Sequence, residues 1–135
     1  MERIYSKVDE KKLLHTLHRF SDFNGRQNVS PDEQFLQLAT IQNEKGVKYK
    51  PHQHVWKEGE KRVIAQESWI VAQGKIRVFY YDTDGELLST ADLGQGDCSI
   101  TYEGGHTYMS LEENTLIYEN KVGPYKGVEN DKKLL

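Results

Sequence analysis

A chain of 135 residues is long enough to bury one hydrophobic core without disulfide staples, and its lone cysteine, Cys98, rules out an internal disulfide. The formal net charge is -3 and the sequence pI is about 6.0, so no surplus of cations exists to neutralise phosphates, and nucleic acid is not an expected partner. No apolar run approaches the roughly 20 residues that span a bilayer, and the Met1-Glu2-Arg3 start lacks a basic stretch ahead of an apolar block; a soluble, cytoplasmic protein with no membrane contact is expected.

Residues 11–20 read as a strand or a short helix. His15 and His18 lie there, at a spacing that on a helix could hold a metal, but no acidic or cysteine companion is close in sequence and an edge segment is the plainer reading. Ser30-Pro31-Asp32-Glu33 has the form of a helix start, with a serine cap, proline in the first turn and an acid three residues on. Residues 34–42 then carry too few apolar residues at helical spacing, so one capped turn leading into a strand is predicted. From Val47 onward short strands alternate with turn chemistry. Strands are predicted over 68–72, 75–82, 86–93, 98–103, 106–111 and 115–122. Gly74, Thr83-Asp84-Gly85, Gly94-Gln95-Gly96-Asp97, Gly104-Gly105 and Glu112-Glu113-Asn114 separate them, and Gly123-Pro124 ends the series. Turn signals about every ten residues are the spacing of a β-sandwich or barrel. Cys98 falls in this pattern as a small strand residue rather than a reactive thiol, for no activating neighbour is evident. With no repeat and no linker, one domain over residues 1–135 is expected, its barrel core about 34–125, with the polar 129–135 stretch as a loose terminus.

The chemistry concentrates around Lys50-Pro51-His52-Gln53-His54, where Pro51 favours extended backbone. Alternation then puts His52 and His54 on one face, with Lys50 and Trp56 flanking them if the strand continues. Two imidazoles on one face suit a shared first-row metal, although such a pair also occurs in surface or structural roles. Glu67 opens an otherwise mainly apolar strand ending at Gly74; an ionised carboxylate there needs an exposed position or a cationic partner. His106 follows the Gly104-Gly105 turn, where flexible backbone can bring an imidazole close to a second sheet.

Taken together, Gly46, His52, His54, Glu67 and Gly74, with Gly96 and His106 further on, resemble the cupins in residue type and order. The resemblance covers residues 46–125 and implies an all-β double-stranded β-helix, or jelly-roll barrel, with a short N-terminal extension. It also implies that His52, His54, Glu67 and His106 bind one divalent transition metal. Twelve residues separate His54 from Glu67, a longer spacer than the usual motif has, so residues 55–66 must form a longer hairpin or loop. Thr101, Glu103 and Ser110 stand where the second motif usually has proline, glycine and asparagine. Phe35-Leu36-Gln37, Gly104-Gly105-His106 and Gly123-Pro124-Tyr125-Lys126-Gly127 are similar to small cupins of surface-polysaccharide biosynthesis. That likeness implies a setting in carbohydrate metabolism and a Tyr125 packed near the barrel.

Three imidazoles and a carboxylate suit iron, manganese, nickel or zinc, and an octahedral ion would keep two open positions for a small polar molecule such as a sugar or sugar nucleotide. Alternation makes Tyr108 and Ser110 share the facing of His106, and Trp69 that of Glu67, so these three are the candidate pocket residues. Tyr108 is a candidate proton donor or a hydrogen-bonded wall, and Trp69 a core residue or a sugar-stacking platform. Three functions are open: a metal-dependent isomerase, epimerase or lyase, with a dioxygenase less favoured; a metal-independent sugar-nucleotide ketoisomerase or epimerase with His52 or His54 as general base; and a non-catalytic ligand-binding module. A homodimer is expected, because open sandwich edges invite pairing and residues 11–20 could cover an edge in a partner as easily as in their own chain.

Overall fold

A computed structural model of the chain describes residues 1–6, 9, 11–57, 63–124 and 126–135. In chain order its strands are β1 (Glu2–Tyr5), β2 (Leu13–Leu17), β3 (Arg26–Asn28), β4 (Leu36–Asn43), β5 (His52–His54), β6 (Trp56–Lys57) and β7 (Val63–Ile64). They continue as β8 (Glu67–Gln73), β9 (Lys75–Tyr81), β10 (Leu87–Gly94), β11 (Cys98–Thr101), β12 (Gly105–Ser110), β13 (Thr115–Val122) and β14 (Lys132–Leu134). Single 3-10 turns at Phe20–Asp22 and Val128–Asn130 are the helical pieces among the described residues, and no helix is long and apolar enough to cross a membrane.

The predicted strands from residue 68 onward all form, within about a turn's length of their predicted ends, because alternation and glycine punctuation act together. They pair into two antiparallel five-stranded sheets, β10-β9-β12-β5-β14 and β11-β8-β13-β4-β3. This is the double-sheeted jelly roll. Strand β8 shows its logic: Glu67, Trp69 and Val71 are buried while Ile70 between them is exposed. Ile41, Trp69, Val71, Ile76, Val78, Tyr108 and Ile117 make the core between the sheets. The one-residue passage from β8 in one sheet to β9 in the other depends on Gly74, whose φ is +83° and where a Cβ would lie 2.5 Å from the Thr115 hydroxyl.

Several expectations change. The sheets extend beyond residues 34–125 at both ends, since β3 and β14 are their edge strands. The 129–135 stretch is not loose: β14 pairs with β5, and Asp131 just before it is buried. Its signal was hidden because three polar-to-apolar residues are too few for periodicity to register. Within residues 11–20, Leu13–Leu17 form β2, which pairs with β1 in a separate two-stranded sheet and adds no strand to either barrel sheet. His18 packs edge-on against Phe23 and Tyr118, with ring centroids 5.1 and 5.9 Å away, so aromatic packing accounts for it. Trp56 does not flank the histidines: β5 stops at His54, and Trp56 lies 49% exposed in β6, which pairs with β7 as the long hairpin expected before Glu67. Tyr125 lies outside the described residues.

Candidate metal centre

Strands β5 and β12 are antiparallel neighbours, and His52 stands directly opposite His106 in their register. Residues opposite one another share a face, so both rings enter the barrel, and His54 joins them two residues along β5. His106 reaches its place because the Gly104 backbone, with φ +88°, passes so near Tyr81 that a Cβ there would sit 2.6 Å from the Tyr81 carbonyl oxygen. Glu67 comes from the opposite sheet, opposite Thr101 on one side and Lys121 on the other. All four side chains are buried, and one donor atom from each lies within 4.8 Å of the others. Metal-to-donor bonds of about 2.0–2.2 Å place the donors of one ion about 3–4 Å apart, so the set is of the right size.

The outer contacts orient the imidazoles. His52 Nδ1 lies 3.1 Å from the Lys50 carbonyl oxygen, which can only accept, so the proton is on Nδ1 and the Nε2 lone pair faces inward. His106 Nδ1 is 2.8 Å from the Thr101 hydroxyl, and His54 Nδ1 is 3.2 Å from Asp131 Oδ2. Buried with no hydrogen-bond partner among the described residues, the Nε2 atoms of His52 and His106 are what a cation would satisfy. His54 Nε2 lies 3.1 Å from one oxygen of Glu67, whose other oxygen is 3.6 Å from His106 Nε2. A divalent ion thus fits the donor set: three inward nitrogens, one carboxylate, and outer partners that fix each ring.

Electrostatics divide the three histidines. Burial pushes His52 down to about 4 and His106 to about 2, with the Lys132 charge a further contribution to both. Burial also disfavours a charged His54, but the close carboxylates of Asp131 and Glu67 outweigh it and carry that ring up to about 9. Burial raises the Glu67 carboxyl, Glu119 adds to this, and the His54 contact opposes it. In the metal-free protein a proton on His54 therefore supplies the positive charge that the two carboxylates require.

No family model and no curated protein matches the sequence. Solved structures do match. The chain superimposes on KdgF from a Halomonas species with a TM-score of 0.58 and 20% identity, over 75% of this chain and 78% of that one. It superimposes on a single-substitution variant of oxalate decarboxylase from B. subtilis with a TM-score of 0.64 and 20% identity, over 96% of this chain but only 35% of that one. A cupin-2 domain protein from Shewanella frigidimarina aligns with a TM-score of 0.53 and 18% identity, over 77% of this chain and 88% of that one. The fold is the cupin fold.

Within this cupin barrel a cavity of about 380 Å³ opens beside the cluster, with His52, Trp69 and Tyr108 among its walls. Trp69 stacks on His106, centroids 4.4 Å apart, and its Nε1 donates to Glu119 Oε2 at 3.1 Å, so it is core residue and pocket wall at once. The Tyr108 hydroxyl accepts a hydrogen bond from Asn43 Nδ2 at 3.1 Å, and burial pushes its phenol well above the ordinary tyrosine range. Ser110, though buried, is not among the cavity's described lining. Asp131, Thr101 and Lys132 were missed in the sequence. Thr101 had a signal, standing at a motif position; Asp131 and Lys132 had none, since only the pairing of β14 with β5 brings them in.

Proposed function

We propose that the protein is a metal-dependent enzyme acting on a small polar molecule, a carbohydrate or related compound of surface-polysaccharide metabolism, by isomerase or epimerase chemistry. The observation that carries this reading is the inward convergence of three imidazole nitrogens and one carboxylate beside a cavity of about 380 Å³, a volume within the usual range for small-molecule sites. His52, His54, His106 and Glu67 would hold the ion, iron, manganese, nickel or zinc. When bound, such an ion supplies Lewis-acid polarisation of a substrate oxygen. Trp69 walls the site against water, and Tyr108, its proton retained, offers a hydrogen-bond donor to a ligand oxygen.

The test is metal analysis of untagged protein. A near-stoichiometric transition metal is expected, absent from a His52→Ala, His54→Ala double variant, and activity on the substrate should vanish on chelation and return with metal. Protein purified under non-chelating conditions with no metal, and with no uptake on addition, overturns the reading. A non-catalytic module remains distinguishable, for it would take metal and ligand without turnover. The paired His54 and Asp131 invite a metal-independent reading with His54 as general base, but a ring carried up to about 9 is already protonated at neutral pH. His54 is also absent from the cavity's described walls. We also propose a homodimer, which light scattering would test.

A further inference from the structure

The cavity beside the cluster is lined by several charged side chains. Arg26, Lys50, Lys121 and Lys132 contribute to its walls, against Asp32 and Glu119. Two of the cations are matched locally: Arg26 Nη2 donates to Glu119 Oε1 at 2.7 Å, and Lys121 Nζ lies 3.4 Å from Asp131 Oδ2. Lys132 differs. It stands directly opposite His54 in the β14 to β5 register and so faces the barrel interior, partly buried, yet it makes no ion pair with any described residue. Its charge is felt at both His52 and His106. Lys50, exposed, lies on the same cavity just before β5. An ammonium withdrawn from water is costly unless an anion meets it, and here the cavity, not the protein, is what it faces.

We propose that Lys132 forms a subsite for one carboxylate of the bound ligand, so that the substrate is a small hydroxy acid rather than a neutral sugar. This rests on the cavity being the ligand pocket, as proposed above, but not on metal occupancy. A single carboxylate matches the charge balance, because Arg26 and Lys121 are already engaged and Asp32 and Glu119 lie on the same walls, where a doubly charged phosphate would meet repulsion. The polar walls of Asn28, Gln37 and Tyr49 suit the hydroxyl groups of such a ligand.

The experiment is calorimetric titration of chelator-treated full-length protein, so that no ion at the histidines can attract the carboxylate. Four probes form two pairs: gluconate against sorbitol, and glutarate against glutaramide. At least tenfold tighter binding of the acid is expected in one pair or both, lost in Lys132→Gln and kept in Lys132→Arg. A preference in the glutarate pair alone supports the subsite while removing the carbohydrate from the proposed function. Absence of metal on purification would overturn the metal centre without touching this measurement. Equal binding within both pairs overturns the subsite, as does a folded Lys132→Gln protein that keeps the preference, or inorganic phosphate binding more tightly than either acid. If Lys132→Gln does not fold, the wild-type pairs and Lys132→Arg decide: loss of the preference in Lys132→Arg, like its absence in the wild type, overturns the proposal.

Discussion

The two ends of the barrel interior share strands β8 and β13 and have opposite energetics. At one end β4, β8, β9 and β13 turn Ile41, Val71, Ile76, Val78 and Ile117 inward, where burial of apolar area holds the sheets together. At the other, β5, β8, β12 and β13 turn inward His52, His54, Glu67, His106 and Lys121. There burial opposes ionisation, and only paired or coordinated charges relieve the cost. Strand β8 crosses from one regime to the other within five residues, from Glu67 to Val71. Stability is thus concentrated at the apolar end, and the polar end is what that stability supports.

The comparison breaks most readily by truncation. Ile117→Ala, at a side chain with 0% exposure, should cost about 2–5 kcal/mol. Its folded fraction should still take up metal. Glu67→Gln keeps the shape but removes the buried charge, so metal uptake should fall while metal-free stability changes far less than in Ile117→Ala. Denaturant titration and metal analysis check both. A Glu67→Gln protein as unstable as Ile117→Ala would show that the polar end also holds the barrel together.

Next in size is the pH dependence of the metal-free protein, where the histidines act with opposite signs. His52 and His106 ordinarily titrate at 6.5 but are held to about 4 and about 2 in the fold. Below pH 6.5 the unfolded chain binds protons that the folded one refuses, so stability falls on acidification by up to about 1.4 kcal/mol per pH unit for each ring. His54 is raised from 6.5 to about 9, so its contribution is complete below 6.5 and is lost as pH rises through 9. The site's net effect is greatest near pH 6.5, with losses on both sides. Unfolding curves from pH 4 to 10 on wild type and on the His52→Ala, His54→Ala variant would show it; identical profiles for the two would dismiss this assignment.

Much of the barrel was legible because period-two alternation and glycine turns are local signals: the 75–82 and 115–122 predictions correspond to β9 and β13 within a residue or so. The convergence of His52, His54, Glu67 and His106 was legible through residue type and order, and the facing of His52 and His54 through strand alternation. What failed was non-local. Asp131 and Lys132 become part of the site only when β14 adds to the edge of β5, an event that three residues of sequence do not announce. Likewise Trp56 parted from the histidines because β5 is only three residues long. Where the chain turns depends there on the hairpin of β6 and β7, not on the His-x-His pattern.

The smallest effects discriminate between the outer partners of the imidazoles. Asp131 is a carboxylate shared by His54 and Lys121, so Asp131→Asn removes a charge as well as an acceptor; metal affinity should fall by about 10- to 100-fold. Thr101 offers His106 only a neutral hydroxyl at 2.8 Å, and Thr101→Val keeps the side chain's shape, so its effect should lie at or below the lower end of that range, about tenfold. Competition with a chromogenic chelator measures both. The same two variants should differ in the metal-free protein: Asp131→Asn removes one of the two carboxylates holding the proton on His54, so that ring's titration should move down from about 9, while Thr101→Val should leave it in place. If Thr101→Val weakens metal as much as Asp131→Asn, ring orientation, and not the charge carried by Asp131, sets affinity at this end of the barrel.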